Sequence, residues 1–494
     1  MKNNVEKNLL SDRKTRLKAQ LKRLPLLLVP IFAVIGSIMV IRRELWFDEA
    51  LTLLNFVLPL TPAEIYNSYL IPNNQIVYSI MLNIWNGIGE IAGVFYNVTY
   101  WRMLSIILAT AALMIFVHLR EKIDRKLYPA VLVLCTAATS AIFVNYATAL
   151  RGYAASWLFV MLALYGLYNV FHEKASQGWG CYTIAAILAA GTVPTNILAL
   201  AAVVLYAVPW MKEKFWCDKR FYIAAAVVPL ALILFYAPIA GKFLATFKLG
   251  EGFPSRNGAL VMVLGMYIAS FGILLLFAPW GIEKKPWQHT LRYLIWFFPA
   301  MAIILLHRAP FPRVFVTLLP VVAMLVTDGI AKVVEKDWKK WHLALFFMIS
   351  TAVQLLLFPT GVLLAEKARL TPVDDDFFRP YYMEAGYKPC AAIQEIENHT
   401  HGNSVFFSFN SDPYPLFFYA VTNNIDTKKY ALDVPYNSVK FVPNGSFAVL
   451  AESEDPQTFE KRFNCQLNEI KKFGRLKLYR MTRKLPQALE GQNL

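Results

Sequence analysis

Long runs of apolar residues recur along the first three quarters of the chain, and short polar or basic clusters separate them. A helix needs about 20 residues to cross the hydrocarbon core of a bilayer, and a backbone in lipid must satisfy its own hydrogen bonds. The pattern therefore predicts about eleven transmembrane helices. The predicted spans lie near residues 24–41, 103–119, 129–147, 152–171, 179–193, 196–211, 220–240, 258–280, 291–306, 314–334 and 341–364.

The stretch from Gln75 to Ala92 is also apolar, but the neighbouring charges argue against a crossing there. Lys and Arg accumulate in cytoplasmic loops. A second crossing before the basic cluster at 120–126 would place that cluster outside. We therefore predict that this stretch is a helix lying at the membrane surface.

Basic residues set the predicted topology. The net charge is +16, and most Lys and Arg side chains fall in clusters between the apolar runs. That placement argues against nucleic acid as a partner, because no folded basic domain remains to bind it. The basic N-terminus is predicted in the cytoplasm, and an odd number of spans places the C-terminal end outside. The composition, 57% hydrophobic and 17% charged residues, agrees with a polytopic α-helical membrane protein.

A different composition begins near residue 367, where the long apolar runs stop and Asp, Asn, Pro and Tyr become frequent. The chain is thus predicted to contain a cytoplasmic N-terminus (1–23), a transmembrane domain (24–366) whose first outer loop is 42–101, and an extracytoplasmic α/β domain (367–494). Helices are predicted near 389–398 and 456–471. Strands are predicted at Ser404–Phe409, Leu416–Ala420, Phe447–Leu450 and Leu476–Tyr479.

Cys390 and Cys465 are the two cysteines of this C-terminal domain. An oxidising outer compartment would permit a disulfide between them. Two separate thiols fit the sequence equally well, so the sequence leaves the pairing open.

Positive charge is scarce on the predicted outer side, so each outer arginine needs an explanation. A single arginine can extend into the lipid headgroups. Several arginines on one face can instead hold a phosphate through forked, charge-assisted hydrogen bonds. The outer arginines are Arg42, Arg43, Arg102, Arg151, Arg256, Arg308 and Arg313.

The first outer loop contains an adjacent acidic pair, Asp48 and Glu49, in an otherwise apolar stretch that runs to Leu60. On one helix, Asp48, Thr52 and Asn55 would share a face. The pattern predicts a surface helix with a narrow polar stripe, which faces either water or a cavity. In a cavity, the Asp48 carboxylate could accept a proton from an acceptor hydroxyl.

Several short motifs follow one another along the predicted outer loops. They are Asp48-Glu49, Ile71-Pro72-Asn73-Asn74-Gln75-Ile76-Val77-Tyr78, Arg102-Met103-Leu104-Ser105, the turn from Tyr146 through Arg151 to Tyr153, Gly191-Thr192-Val193-Pro194-Thr195-Asn196 and Pro310-Phe311-Pro312-Arg313. This ordered set resembles the GT-C superfamily of polyprenyl-phosphate-sugar-dependent glycosyltransferases. Within it, the chain is most similar to the group of protein O-mannosyltransferases and lipid A aminoarabinose transferases. The His-Pro-Pro-like element of that group is replaced here by amides.

The resemblance implies roles for individual residues. Asp48 would act at the acceptor hydroxyl, with Glu49 beside it. The lipid-linked phosphate would be held by Arg151, Arg308 and Arg313, with Arg102 behind them. The other implied substrate-binding residues are Tyr146, Tyr153, Asn73 and Asn74. No metal ligand is predicted, since amides bind transition metals poorly; a requirement for a divalent cation is left open.

The resemblance also implies an activity. It is the transfer of a sugar from a polyprenyl-phosphate donor to a glycan, lipid or protein acceptor, at the outer face of a bacterial plasma (inner) membrane, in the cell envelope. Two other classes stay open. A transporter or flippase of lipid-linked sugars should carry charged residues at mid-bilayer depth. A non-catalytic lipid-binding or assembly protein would keep the arginines but would not need Asp48.

Overall fold

The structure is a computed structural model in which the chain divides into two compact units. The membrane unit comprises Met1–Arg42 and Leu60–Phe378, and the C-terminal unit comprises Arg43–Pro59 and Arg379–Leu494. The sequence placed the whole of 42–101 with the transmembrane domain, whereas residues 43–59 pack within the C-terminal unit. The structure describes residues 29–38, 40–68, 74–124, 127–172, 175–211, 218–249, 256–281, 290–305, 312–335, a few positions between 342 and 352, and 388–408, 411, 413–432, 445–452, 454–473 and 476–483.

Helices dominate the described residues. In chain order the α-helices are α1 (Val29–Ile38), α2 (Phe47–Thr52), α3 (Pro62–Asn67), α4 (Ile76–Ile91), α5 (Val98–Asp124), α6 (Tyr128–Ala138), α7 (Ala141–Thr148), α8 (Tyr153–His172), α9 (Ala175–Thr192), α10 (Asn196–Ala207), α11 (Lys219–Tyr236), α12 (Ala240–Leu249), α13 (Arg256–Phe271), α14 (Leu294–Leu305), α15 (Leu319–Glu335), α16 (Pro389–Thr400), α17 (Pro413–Thr422) and α18 (Pro456–Phe463). A π-helical turn covers Leu53–Val57, and 3-10 segments cover Val208–Trp210, Ala237–Ile239, Gly272–Gly281, Leu291–Tyr293, Pro312–Leu318 and Thr427–Lys429.

Several of these helices are long and apolar enough to cross a membrane. Among the described residues they are Val98–Ile123, Tyr153–His172, Lys219–Ala245, Ala259–Trp280 and Arg313–Val333. The pair α6 and α7, bent by 71° at a short break, gives a sixth if it acts as one span. The predicted fold class, a polytopic helical membrane protein with a C-terminal α/β domain, is confirmed. The count of eleven spans stays a prediction, and the span at 341–364 lies almost wholly outside the described residues.

Helices α8 and α9 approach each other closely through two glycines. A Cβ atom on Gly166 would lie 2.6 Å from the backbone nitrogen of Tyr182, and one on Gly178 would lie 2.7 Å from the carbonyl oxygen of Gly166. Small residues permit this backbone contact, which matters in lipid because burying apolar side chains gives no hydrophobic gain there. The close contact fixes α8, whose first turn contributes to the candidate site.

An ionic cluster joins α5, α10, α15 and the Leu291–Tyr293 segment. The Asp328 carboxylate lies 2.5 Å from Nη1 of Arg120 and 3.1 Å from Nη1 of Arg292, and it accepts a 2.8 Å hydrogen bond from the Tyr206 hydroxyl. The Arg292 guanidinium also stacks 4.1 Å from the centre of the Tyr206 ring. Buried charged side chains need such partners, so the cluster cross-links four elements of the membrane unit.

The C-terminal unit is built on a five-stranded mixed sheet in the order β2-β1-β3-β5-β4. Its strands are β1 (Val405–Phe407), β2 (Tyr430–Leu432), β3 (Phe447–Ala451), β4 (Cys465–Phe473) and β5 (Leu476–Arg483). The central strand β3 pairs in parallel with β1 and antiparallel with β5. Side chains alternate between the two faces of the sheet. Phe407, Val449 and Leu478 pack toward α16 and α17, while Phe406 and Tyr479 pack toward α18.

Two predictions for the C-terminal domain were wrong. Leu416–Ala420, predicted as a strand, lies in helix α17, because an unbroken apolar run fits a buried helix as well as a strand and Pro413 suits a first helical position. The predicted helix at 456–471 ends at Phe463. There Asn464 adopts the left-handed conformation (φ 48°) that terminates a helix, and strand β4 follows. The predicted strands at β1, β3 and β5 and the helix at α16 are confirmed in position.

Neither Cys390 nor Cys465 takes part in a disulfide. Cys390 is the second residue of α16 and is half-buried, whereas Cys465 opens β4 and packs in the apolar cluster beneath α18. The disulfide that the sequence left open is therefore not formed in this structure.

Candidate active site

The acidic pair opens helix α2, in the part of the first loop that belongs to the C-terminal unit. Glu49 is fully buried; its carboxylate lies 3.6 Å from Nη2 of the buried Arg43 and accepts a hydrogen bond from the Trp46 backbone at 3.4 Å. Asp48 keeps 9% of its surface exposed. The Glu49 carboxylate thus holds the turn together, and a catalytic role for Asp48 stays a prediction.

The predicted polar stripe is interrupted in the structure. The helix is not continuous to Leu60, because a π-helical turn replaces it from Leu53 to Val57. Thr52 is buried and donates a 2.8 Å hydrogen bond to the Asp48 carbonyl, whereas Asn55 is exposed. The side chain of Thr52 therefore braces the helix that carries Asp48, and Asn55 stands apart from it.

In the membrane unit, Arg151 lies in the turn between α7 and α8 and is 4% exposed. Tyr146 and Tyr153 flank the turn with their ring centres 4.7 Å apart in an edge-to-face arrangement. The N-terminus of α8 carries the positive end of a 20-residue helix dipole, which adds to the guanidinium charge of Arg151. The turn is therefore a favourable environment for an anion.

Gly152 determines how closely this turn packs. Its N–H donates a short hydrogen bond to the Gln75 side-chain oxygen. A Cβ atom at this position would lie 2.9 Å from that oxygen and would collide with Thr192. Only glycine fits without a shift of these side chains. Gly152 therefore lets the turn pack directly against the start of α4 and the end of α9.

Two chains of hydrogen bonds support the same turn. In the first, the Asn196 amide donates to Ser156 Oγ at 2.7 Å, and Ser156 Oγ donates to the Gly152 carbonyl at 2.7 Å. In the second, Ser105 Oγ donates to the Ala149 carbonyl at 2.7 Å and also contacts the Tyr78 hydroxyl at 2.6 Å. The motifs around residues 75, 105, 151 and 196, which are far apart in sequence, therefore meet around one turn.

Arg313 lies on the 3-10 segment Pro312–Leu318, which packs against α8. The Trp157 indole N–H donates a 2.9 Å hydrogen bond to the Val316 carbonyl, and the Trp157 ring stacks on Phe143 of α7. The segment that carries Arg313 is thereby tied to the first turns of the helix that follows Arg151. Arg308 and Asn73, also predicted substrate-binding residues, lie outside the described residues.

Two other predicted site residues are occupied with structural contacts. Arg102 is fully buried, and its Nη1 donates to the carbonyls of Val40 and Ile41 at 3.4 and 3.2 Å. Cations commonly satisfy carbonyls at the end of a helix in this way. Asn74 is buried and its amide donates to the Ile65 carbonyl at 2.8 Å. Both contacts favour a supporting role behind Arg151 and Arg313.

The predicted site residues account for only part of this arrangement. Gln75, Tyr78, Ser105 and Asn196 stood inside the quoted motifs, yet no spacing indicated that their side chains would hold the Arg151 turn. In the described part of the chain, no three His, Cys, Asp or Glu side chains come together as a metal site. A divalent cation stays an untested prediction.

The chain is, by its helices and its sheet, a multi-pass membrane protein with a small α/β domain. No family model matches it, and no curated protein is similar enough in sequence to match. Solved structures do match. ArnT from Cupriavidus metallidurans in the apo state superposes with a TM-score of 0.54 and 11% identity over 92% of this chain and 97% of that chain.

A second structure of ArnT from the same organism, bound to undecaprenyl phosphate, gives a TM-score of 0.50 at 10% identity, again over 92% and 97% of the two chains. Both comparisons span nearly the whole of each chain. This chain therefore has the fold of ArnT.

Proposed function

We propose that this protein is a glycosyltransferase that moves a sugar from a polyprenyl-phosphate donor to a hydroxyl acceptor. The observation that carries the proposal is the convergence of two cation-bearing segments, those of Arg151 and Arg313, on the start of α8. The ArnT-like fold supports it, since one of the similar structures was determined with undecaprenyl phosphate bound. A polyprenyl phosphate would present its phosphate to these arginines and keep its tail in the bilayer.

In the proposed reaction, an acceptor oxygen attacks the anomeric carbon of the sugar. The bond from that carbon to the phosphate oxygen breaks, and the bonding electrons leave with the lipid phosphate. The Asp48 carboxylate takes the proton of the attacking hydroxyl. The guanidinium groups stabilise the charge that develops on the departing phosphate. The proton and the leaving group are thus handled by different residues of this chain.

We further propose that transfer takes place at the outer face of a bacterial inner membrane, with a glycan, lipid or protein as acceptor. The distribution of Lys and Arg supports a cytoplasmic N-terminus and an external C-terminal domain. Reporter fusions at residue 494 and between residues 125 and 127 test this. We expect the first to report the outer side and the second the cytoplasm; the same side for both would overturn the topology.

The decisive experiment replaces Asp48 with Asn, which keeps size and hydrogen bonding but cannot act as a base. Sugar transfer is measured in detergent with a panel of synthetic polyprenyl-phosphate sugars, and donor binding is measured separately. We expect turnover to fall at least about a hundredfold with donor binding unchanged. Asp455→Asn, at the N-cap of α18 in the same unit, is the matched control and should transfer normally.

Other outcomes are equally informative. If Asp48→Asn and Glu49→Gln both transfer as well as the wild type, the acidic pair is not catalytic. The lipid-binding and transporter hypotheses then gain, and movement of a labelled lipid-linked sugar across a vesicle membrane separates those two.

A further inference from the structure

The four residues immediately before Asp48 all contact parts of the C-terminal unit that lie more than three hundred residues further along the chain. Glu44 contacts the start of α16, Leu45 and Phe47 contact α17, and Trp46 enters the core beneath the sheet. We call these contacts of residues 44–47 the anchor. Ordering the segment costs about 1–2 kcal/mol of backbone conformational entropy per residue, which the contacts must offset.

Glu44 caps the N-terminus of helix α16 in place of the residue at the N-cap position. The first N–H groups of a helix have no partner within it. Lys388, at the N-cap position of α16, makes no side-chain cap hydrogen bond. Instead the Cys390 N–H donates to the Glu44 carboxylate at 2.9 Å. A carboxylate is favoured there by the helix dipole, so Glu44 is bound by charge as well as by the hydrogen bond.

Helix α17 holds the next residues. The Leu45 N–H donates a 3.0 Å hydrogen bond to the Tyr419 hydroxyl, and the Phe47 ring packs edge-on against Tyr414 with ring centres 5.1 Å apart. The Trp46 side chain, almost fully buried, packs in the same apolar cluster as Ile393 and Leu416. Two hydrogen bonds, at Glu44 and Leu45, are thus followed by two apolar contacts, at Trp46 and Phe47, and together they fix the path of the segment.

We propose that the C-terminal α/β domain positions the acidic pair, with Glu44, Trp46 and Tyr419 as positioning residues for Asp48. Helix α2 begins at Phe47, one residue before Asp48, so the direction of the Asp48 side chain is set where the anchor ends. The inference rests on the proposed function for its catalytic consequence. The anchoring contacts themselves lie within the C-terminal unit and can be tested without any substrate.

The test uses the full-length protein and two variants. Tyr419→Phe removes the hydroxyl that accepts the Leu45 N–H, and Glu44→Gln removes the negative charge at the N-terminus of α16. The matched control is Tyr430→Phe. Tyr430 lies in the same apolar cluster, and its hydroxyl donates to Glu397 at 3.1 Å, away from residues 43–59. Burial and the Glu397 charge raise the pKa of Tyr430, so its hydroxyl stays a donor and the control also loses one real hydrogen bond.

The first readout is amide hydrogen exchange in residues 43–59. We expect faster exchange there in Tyr419→Phe and Glu44→Gln than in Tyr430→Phe, with β3 and β5 unchanged. The second readout is sugar transfer. One hydrogen bond contributes a net free energy that corresponds to about two- to tenfold, so turnover should fall by that factor while the KM for the donor stays constant. The control should keep full turnover.

A double-mutant cycle separates positioning from general weakening of the domain. In an Asp48→Asn background, Tyr419→Phe should cost no further turnover, because a residue that acts only through Asp48 has nothing left to position. If the two substitutions together lower turnover by the product of their separate factors, the proposal is overturned.

The remaining outcomes distinguish the anchor from its effect on catalysis. Unchanged exchange at 43–59 in both variants overturns the anchor, whatever the activity. Faster exchange with full turnover overturns the positioning role. If the wild type itself transfers no sugar from any donor in the panel, the proposed function fails and takes the catalytic consequence with it, while hydrogen exchange still decides the anchor.

Discussion

The guanidinium of Arg43 lies 3.6 Å from the carboxylate of Glu49, and neither side chain reaches solvent to more than 2%. The pair spans the turn from which Asp48 projects. A buried ion pair of this kind adds little net stability, but removing one partner leaves an uncompensated charge that costs several kcal/mol. The two adjacent carboxylates of the acidic pair are therefore expected to respond very differently to substitution.

Glu49→Gln should destabilise the C-terminal unit by about 3–5 kcal/mol, because it removes the carboxylate charge that lies 3.6 Å from the buried Arg43 guanidinium. Thermal unfolding of the purified protein, followed by a probe in that unit, measures the loss. Turnover of the protein that remains folded should fall less than in Asp48→Asn. The double variant Arg43→Met with Glu49→Leu should recover stability. Should Glu49→Gln stay fully stable yet lose a hundredfold in turnover, Glu49 and not Asp48 is the base.

Loss of Arg151, Arg308 or Arg313 should weaken donor binding. Removing one hydrogen bond to a charged group costs about 1.5–3 kcal/mol, or roughly tenfold to hundredfold in donor affinity or turnover. Arg42→Ala is the matched control, since Arg42 is also predicted on the outer side but is exposed. Donor titration with each Ala variant measures the effect. If all three stay within twofold of the control, these arginines only anchor the protein in the headgroups.

Gly152→Ala should disrupt the Arg151 turn. The added methyl group collides with Thr192 and crowds the Gln75 oxygen that accepts the Gly152 N–H, so the turn must shift. We expect at least about a tenfold loss of donor affinity, comparable to losing one charged contact. Gly180→Ala on α9, where a Cβ meets nothing within 4 Å, is the control. Equal donor affinity in the two variants would contradict a role for this turn.

Asp328→Asn should leave two buried arginines, Arg120 and Arg292, without their shared counter-charge. We expect a destabilisation of about 3–5 kcal/mol, seen as a lower melting temperature in detergent, with normal transfer by the folded fraction. Asp426→Asn, which keeps an N-cap at Thr427–Lys429, is the control. A stable Asp328→Asn protein with altered lipid movement would instead favour the transporter class, for which charges inside the bundle are expected.

The sequence predicted the elements of this fold better than the contacts between them. Apolar length predicted the long helices because a crossing of the hydrocarbon core needs about 20 residues. The same criterion cannot separate a buried strand from a buried helix, which is why Leu416–Ala420 was misassigned. Helix α18 ends before Asn464 because that residue adopts a left-handed conformation, which a pattern of apolar residues does not indicate.

For the candidate site, too, the sequence indicated residues but not the contacts between them. Motif order indicated Asp48, Arg151 and Arg313, but Gln75 reaches Gly152 across 77 positions and Glu44 reaches Cys390 across 346. Contacts of that range depend on the assembled tertiary structure, so a single sequence carries no local signal for them.

The hydrogen bond between Leu45 and Tyr419 has a consequence for the order in which the protein matures. These partners are 374 positions apart, so the ribosome makes the Asp48 segment well before Tyr419, which anchors it. Synthesis at about 5–20 residues per second puts tens of seconds between them. During that interval the nascent chain holds its first membrane helices without an ordered acidic pair. We therefore expect the Asp48 carboxylate to be set in place only after the C-terminal α/β domain has been translated. On the proposed function, a chain without that domain would then transfer little sugar from the lipid-linked donor.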